Sequence, residues 1–347
     1  MSIIQSCVAC GSNRWYAAER YHGFQLAKCE ECGLTFTLNP DYRIERYEAA
    51  YEGKGDIPVA EEHSYVYKAP AQRLRLEALA YLVPPPRLTP AERLALSWLK
   101  KNAPQGSVIV DCGCGTGRFL RALASAGFKA VGVDISPEVI SLLNKAGLTA
   151  IQGKAPDFPW SEEPPFAITF FEVLEHIPTP IEVLTALRKR FTEAAILASV
   201  PSPYRPGLLL KGERGLSDYP PNHFLRWTPK ALEIAFQRAG YKNVEVILPK
   251  PIGSEMLPGL GQLVFRMRRG LQTRRKPDAS DVMVRKPSSA DYDVIDRLKA
   301  TGALWVLWLY QKGTDIVGYL RVLKATRFGA SASSLLVIAV PDHLESH

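Results

Sequence analysis

Short apolar runs recur along the chain at Val108 to Val110, Ala130 to Val133, Ala150 to Ile151, Ala167 to Phe171, Ala195 to Val200, Val244 to Ile247 and Ser334 to Val340. Most are rich in β-branched or aromatic residues and all are too short for a buried helix, so each predicts a strand. Between the earlier runs the apolar positions change to helical spacing, as in Phe119, Leu120, Leu123 and Ala124. Ser136-Pro137, Thr179-Pro180 and Thr228-Pro229 open helices with a capping side chain and a proline in the first turn; Gly127 ends the first helix, Gly147 the one opened at Ser136 and Gly240 the one opened at Thr228. Strand alternating with helix predicts an α/β fold, a doubly wound sheet.

Two flanking regions break this rhythm. From Asn39 to Gln105 helical segments are interrupted by Pro58, Pro70 and Pro84 to Pro86, and Thr89-Pro90-Ala91-Glu92 forms a capping box ahead of Leu94, Leu96, Trp98 and Leu99. This region reads as a helical cap over the sheet or a packed linker. The stretch between the last two strands is too long for a hairpin loop. It holds a basic run (Arg266, Arg268, Arg269, Arg274, Arg275, Lys276), a Pro/Ser-rich segment and the apolar octet Ala303 to Tyr310. The expected organisation is residues 1–38 as a small N-terminal domain, 39–105 as linker or cap, 106–250 as sheet core, 251–333 as a helical and basic insertion, and 334–347 as the last strand and tail.

Hydrophobic content of 46% with 22% charged residues in 347 is ordinary globular composition with ample length for a core. The net charge of +8 admits nucleic acid, anionic lipid or an anionic substrate without choosing among them. No basic leader with an apolar core opens the chain, and no apolar run approaches ~18 residues, so a cytoplasmic protein is expected. The basic run and apolar octet at 266–310 suit peripheral contact with an anionic membrane face, or core and dimer packing.

Cys7-x-x-Cys10-Gly and Cys29-x-x-Cys32-Gly form two knuckles in which glycine permits the turn that aims two thiolates at one ion. Together they predict a four-thiolate zinc ribbon, with Trp15, Tyr16, Tyr21 and Phe24 on short strands between them. Four protein ligands leave no open position, so the zinc is expected to be structural. It would hold together a unit too small to fold on apolar burial alone. A redox C-x-x-C pair is the rival, and two matched knuckles argue against it. None of the six cysteines is needed for a disulfide, which fits a reducing compartment.

The first strand ends at Asp111 and passes into Gly113, Gly115 and Gly117 before the first helix. A strand turning into a helix under a glycine loop lets a ligand lie on main-chain N–H groups. A dinucleotide fingerprint needs a third glycine where Arg118 stands, so an NAD reading fails. Asp134 ends the second strand, where such folds place an acid to accept hydrogen bonds from a ribose diol.

The spacing Asp111-x-Gly113-x-Gly115-x-Gly117 resembles motif I of the class I S-adenosylmethionine (SAM)-dependent methyltransferases. Glu172-Val-Leu-Glu-His176 resembles the corresponding segment of the ubiquinone-biosynthesis-type O-methyltransferases, and His223-x-x-x-Trp227-Thr-Pro is similar to another segment of that group. The resemblance implies a Rossmann-like seven-stranded sheet and SAM as cofactor. It implies cofactor contacts at Asp111, Gly113, Gly115, Gly117, Asp134 and Ile135, at Ala155 or Asp157 for the adenine, and at Phe171 and Glu172. Lys154 stands where the family often has Asp, and Ala167 likewise.

Glu172, Glu175 and His176 are the densest titratable cluster at a strand's carboxyl end. His176 is either a general base or a residue that pins the loop by hydrogen bonding. His223 is a second candidate base or substrate ligand, and Glu172 completes the catalytic set. No Asn/Asp-Pro-Pro-Tyr/Phe clamp for planar amines follows the fourth strand, and no Pro-Cys nucleophile pair occurs. The expected reaction is therefore O-methylation, less readily C-methylation, of a small-molecule, saccharide or lipid-linked intermediate. Two rivals remain: an RNA methyltransferase gripping nucleic acid with ribbon and basic run, and a non-catalytic SAM-binding or zinc-ribbon scaffold.

Overall fold

The computed structural model describes residues 4–21, 23–40, 88–160, 163–205, 208, 218–251 and 331–341. The chain divides into two compact units, 1–250 with 331–347 and 251–330, and the described residues, Pro251 apart, belong to the first. Of the expected linker or cap, 39–40 and 88–105 are described. The basic run, the Pro/Ser-rich segment and the apolar octet lie outside the described residues. No helix among the described residues is long and apolar enough to cross a membrane.

In chain order the elements are β1 (Trp15–Tyr21), β2 (Phe24–Cys29), β3 (Thr35–Thr37), α1 (Pro90–Asn102), β4 (Val108–Cys112), α2 (Arg118–Ser125), β5 (Lys129–Asp134), α3 (Pro137–Lys145) and β6 (Thr149–Gln152). There follow β7 (Ala167–Phe171), a 3₁₀ turn (Leu174–His176), α4 (Pro180–Arg190), β8 (Ala195–Pro201), β9 (Leu225–Arg226), α5 (Pro229–Arg238), β10 (Asn243–Ile247) and β11 (Ser334–Val340). Every expected strand of the main sheet is present, several longer by a residue or two.

The caps do what the sequence asks. Thr89 Oγ1 accepts the N–H of Glu92 at 3.1 Å and the Glu92 carboxylate accepts that of Thr89 at 2.7 Å, closing the capping box on α1. Ser136 and Thr228 cap α3 and α5 through Val139 and Ala231. Thr179 differs: its side chain makes no capping bond, and α4 relies on Pro180, which carries no N–H needing one.

The seven-stranded sheet has the order β10-β11-β8-β7-β4-β5-β6. β8, β7, β4, β5 and β6 run parallel, and β11 is antiparallel to both β8 and β10. All five residues of β4 and all seven of β11 are buried, as expected of strands covered on both faces. From β4 the chain winds outward through β5 and β6, then crosses back to β7 on the other side. The crevice at the carboxyl ends of β4 and β7 is thus the switch point where ligands bind in such sheets.

β10 runs parallel to β8, so it ends at that same edge. There the N–H of Ala332 donates to Pro249 O at 2.7 Å and that of Ser202 to Ser333 O at 2.8 Å.

A second, four-stranded antiparallel sheet has the order β1-β2-β3-β9. Its first three strands are the expected ribbon, and the fourth comes from the core, with Thr35 opposite Arg226 and Phe36 opposite Leu225. The ribbon's Cys7, Leu34 and Phe36 share one buried cluster with Phe224, Trp227 and Phe236 and with Val110 and Phe170 of the main sheet.

Candidate functional site: a glycine cradle beside an acid–imidazole cluster

Geometry of the glycine loop follows from β4 stopping against β5. The N–H groups of Gly113 and Cys114 both donate to Val133 O, at 2.7 and 3.1 Å, which folds the loop back over the strand ends. Gly113 has φ 70°, and a Cβ there would lie 2.6 Å from Val173 Cγ2. Gly115 has φ 49° and nothing closer than 4.0 Å to its missing Cβ, so its upper face is open to a ligand. Gly117 starts α2 without a capping side chain.

The Asp134 carboxylate is fixed by two main-chain donors, Gly115 N–H to Oδ2 and Ser136 N–H to Oδ1, both 3.0 Å. The two bonds set the carboxylate's orientation before any ligand arrives. Gly153 N–H donates to Asp134 O at 2.9 Å, bringing in the loop with Ala155 and Asp157, while Ile135 accepts from Gln152 at 3.2 Å. Phe171 lies against Phe119, ring centroids 4.4 Å apart. The expected cofactor residues therefore gather along the carboxyl edge of β4, β5, β6 and β7.

Asp111 lies beneath the loop rather than on it. It stands opposite Thr169 of β7, whose hydroxyl donates to its Oδ1 at 2.7 Å. Burial pushes its carboxyl up to about 7 against the help of that hydroxyl, so a cation nearby would draw it into the ionised form. Arg118 donates through both Nε and Nη2 to the buried Glu92, at 3.1 and 2.7 Å, tying α2 to α1.

Glu172 follows β7 with φ 58°, the left-handed region that non-glycine residues seldom occupy. Its N–H donates to Ser199 O and its Oε1 accepts from Ser199 Oγ at 2.8 Å, so β8 holds the strained residue in place. Burial raises its carboxyl above the usual range.

The 3₁₀ turn then drives Glu175 inward. Its side chain is 1% exposed, and neither carboxyl oxygen has a hydrogen-bond partner among the described residues. Burial, with the nearby Glu172 carboxylate, pushes it well above the usual carboxylate range, toward the protonated form. Glu175 Oε1 lies 3.8 Å from His223 Nε2 and 4.0 Å from His176 Nε2, and the two imidazoles meet edge to face at 4.8 Å. Phe224 N–H donates to Glu175 O at 2.9 Å, which brings the His223 segment onto the turn.

The two histidines have different surroundings. His176 Nδ1–H donates to Asn222 O at 2.6 Å, and desolvation draws its imidazole down to about 3, leaving it neutral at physiological pH. His223 Nδ1 instead faces Asp218 Oδ1 at 3.8 Å, and Asp218 is ion-paired with Arg205. Burial opposes the Asp218 charge, yet His223 and Arg205 hold its carboxyl down to about 2. Glu175, His176 and His223 have ligand atoms within 4.8 Å of one another, a set that suits a divalent cation as well as a shared proton.

Asp218 and Arg205 were not among the expected site residues. Asp218 opens the turn leading to His223, a local signal of its own, but Arg205 follows a different strand and no spacing announces it.

The four cysteines meet as expected. All four Sγ atoms lie within 4.8 Å of one another, with Cys7 to Cys32 and Cys10 to Cys29 both at 3.5 Å. The hydrogen bond shared with Cys32 pulls the Cys7 thiol down to about 5 and pushes that of Cys32 up. Such spacing is close to the edge of a tetrahedral thiolate set around zinc, so the residues fit the metal.

Strand order, the glycine cradle at the switch point and the terminal antiparallel strand define a class I methyltransferase fold. Residues 87–246 match the family model of a methyltransferase domain. Similar proteins include the ubiquinone biosynthesis O-methyltransferases of Paracidovorax citrulli, 30% identical over 34% of this chain and 60% of that one, and of Xylella fastidiosa, 32% identical over 36% and 59%. The chain thus spans about three fifths of the length of these curated relatives. A solved SAM-dependent methyltransferase from Archaeoglobus fulgidus is 16% identical, with TM-score 0.40 over 72% of this chain and 94% of that one.

Proposed function

We propose that the protein transfers a methyl group from SAM to a hydroxyl oxygen of a small-molecule, saccharide or lipid-linked biosynthetic intermediate. The observation that carries this reading is the Asp134 carboxylate, pre-set by the N–H groups of Gly115 and Ser136 beside the open face of Gly115. In the reading, Asp134 takes the ribose hydroxyls, the loop from Gly113 to Gly117 receives the amino-acid end, and Ala155 and Asp157 flank the adenine. Asp111 supplies negative charge from below, and Phe171 and Glu172 close the side toward the acceptor.

The cofactor, when bound, supplies a methyl carbon already activated toward in-line attack. The chain's contribution is to orient the acceptor, exclude water and take its proton, effects of about 7–11 kcal/mol for orientation and ~10²–10⁴-fold for the proton. His223 suits the proton acceptor's role because an ionised Asp218 faces its far nitrogen and stabilises the imidazolium, as a carboxylate does behind a catalytic histidine. His176, neutral and bonded to Asn222, forms the neighbouring wall. The relatives' printed names, O-methyltransferases of ubiquinone biosynthesis, support oxygen as the acceptor atom.

Titration calorimetry with SAM and S-adenosylhomocysteine tests the reading. The expectation is one site per chain, lost or sharply weakened in Asp134→Ala. Absence of heat with both ligands in metal-loaded protein overturns it.

A further inference from the structure

The two metal knuckles both press against one helix of the core. Thr228, the N-cap of α5, donates its hydroxyl to Cys32 O at 2.6 Å while accepting the N–H of Ala231. Arg238, the last residue of α5, donates through Nη1 to Ala9 O at 2.8 Å, inside the first knuckle. The knuckle glycines Gly11 and Gly33, at φ 78° and 76°, leave room for this approach: a Cβ on Gly33 would press on Thr228 Cγ2 at 3.2 Å, and one on Gly11 on Arg238 Nη2 at 3.2 Å. Helix α5 is therefore strung between the knuckles, one at each end.

The segment entering α5 is the one that carries His223, and the ribbon holds it along its length. Tyr219 stacks on Tyr21 at 4.3 Å and lies under the Arg226 guanidinium, which is ion-paired with Glu19. Phe224 O accepts both the N–H and the hydroxyl of Thr37, at 3.0 and 3.1 Å. Leu225 and Arg226 are β9, the fourth strand of the ribbon's own sheet. On its other side the segment meets the Glu175 turn through Phe224 N–H. Among the described residues, the hydrogen bonds given above for the cofactor cradle run instead within the core, to residues 111–136, 152–153 and 169.

We infer that the four-cysteine site is a positioning element of the acceptor side: bound metal fixes the knuckles, the knuckles fix α5 and β9, and these hold His223 against Glu175 and Asp218. Thr228 and Arg238 are the positioning residues that transmit it. Loss of the metal then disables the acceptor side while the cofactor side stays competent. The inference rests on the methyl-transfer reading only for the role given to His223. It also gives the ribbon's knuckle faces an occupant inside the chain, where a nucleic-acid clamp would present them outward.

Hydrogen–deuterium exchange on the full-length zinc-loaded protein, before and after chelation, tests the inference, with SAM calorimetry alongside. Amides of 24–38 and 222–228 are expected to exchange about tenfold faster or more after metal removal. Those of β4 and β5, and the SAM affinity, are expected to change less than about twofold. Unchanged protection at 222–228 overturns the inference, and so does equal loss across β4 and β5, which makes the metal a general stabiliser.

Should the chelated protein not stay folded, Thr228→Val and Arg238→Met with zinc still bound give the same readout. Faster exchange confined to 222–238 at one zinc per chain supports the inference, and wild-type exchange overturns it. A metal-loaded protein that shows no SAM heat sinks the methyl-transfer reading and leaves the exchange result standing.

Discussion

The cofactor side and the acceptor side of this molecule are built by opposite means. The cradle around Gly113, Gly115 and Asp134 is made of main-chain N–H groups and one carboxylate, from residues close in sequence and joined by two parallel strands. The cluster around His223 is made of side chains drawn from the 3₁₀ turn, the exit of β8, the approach to β9 and, through the knuckles, the N-terminal ribbon. Backbone geometry is insensitive to side-chain drift, so the first can be rigid and general. The second depends on distant segments arriving together, so it can vary in what it accepts and can fail separately.

Separate failure is the first thing to break. In the proposed reading Asp134→Ala removes two charge-assisted bonds to the ribose, and it is expected to weaken SAM by roughly 10²–10⁴-fold in calorimetry. His223→Ala is expected to leave that affinity unchanged and to lower transfer of labelled methyl groups from SAM into extracted metabolites and lipids by ~10²–10⁴-fold. A His223→Ala protein that loses SAM binding shows that the two sides are one.

A pH experiment sharpens the contrast within the cradle. The Asp111 carboxyl is raised to about 7 by burial, whereas the unfolded chain titrates near 4. The folded state thus holds a proton that the unfolded state has lost, so stability falls as pH rises through that window and levels off above about 7. The difference in slope between wild type and Asp111→Asn, from urea unfolding at pH 4.5 to 7.5, is expected to total a few kcal/mol, ~4 at most. Equal slopes show that Asp111 is solvated after all.

The smallest expected effect lies where the two sides touch. Gly113→Ala puts a methyl 2.6 Å from Val173 Cγ2 at φ 70°, between the glycine loop and the turn that carries Glu175 and His176. A loss of about 1–3 kcal/mol in urea unfolding is expected, with SAM affinity and methyl transfer both reduced. Reduction of only one places the contact wholly within that side.

The cradle was legible because each requirement has a local signature: glycine where φ is positive, an acid at a strand's end, a proline and a small polar residue at a helix start. The cysteine knuckles were legible for the same reason. Thr179 shows the limit of such reading: it is a residue of capping type ahead of a proline, as Ser136 and Thr228 are, yet unlike them it makes no side-chain capping bond. Asp218 and Arg205 show a deeper limit. Their partnership with His223 is set by how the exit of β8 and the approach to β9 pack, and no spacing along the chain encodes it.

The sequence by itself determined the alternation of strand and helix, the loop that ends β4 and the pair of knuckles, because these depend on backbone conformation and on neighbours within a few residues. Only the tertiary structure decided that the Glu175 carboxyl is buried beside two imidazoles, that His176 and His223 stand under different charges, and that α5 ties the ribbon to the segment carrying His223. Those properties belong to distances between segments far apart in the chain. Burial and electrostatics respond to such distances, and residue order alone does not contain them.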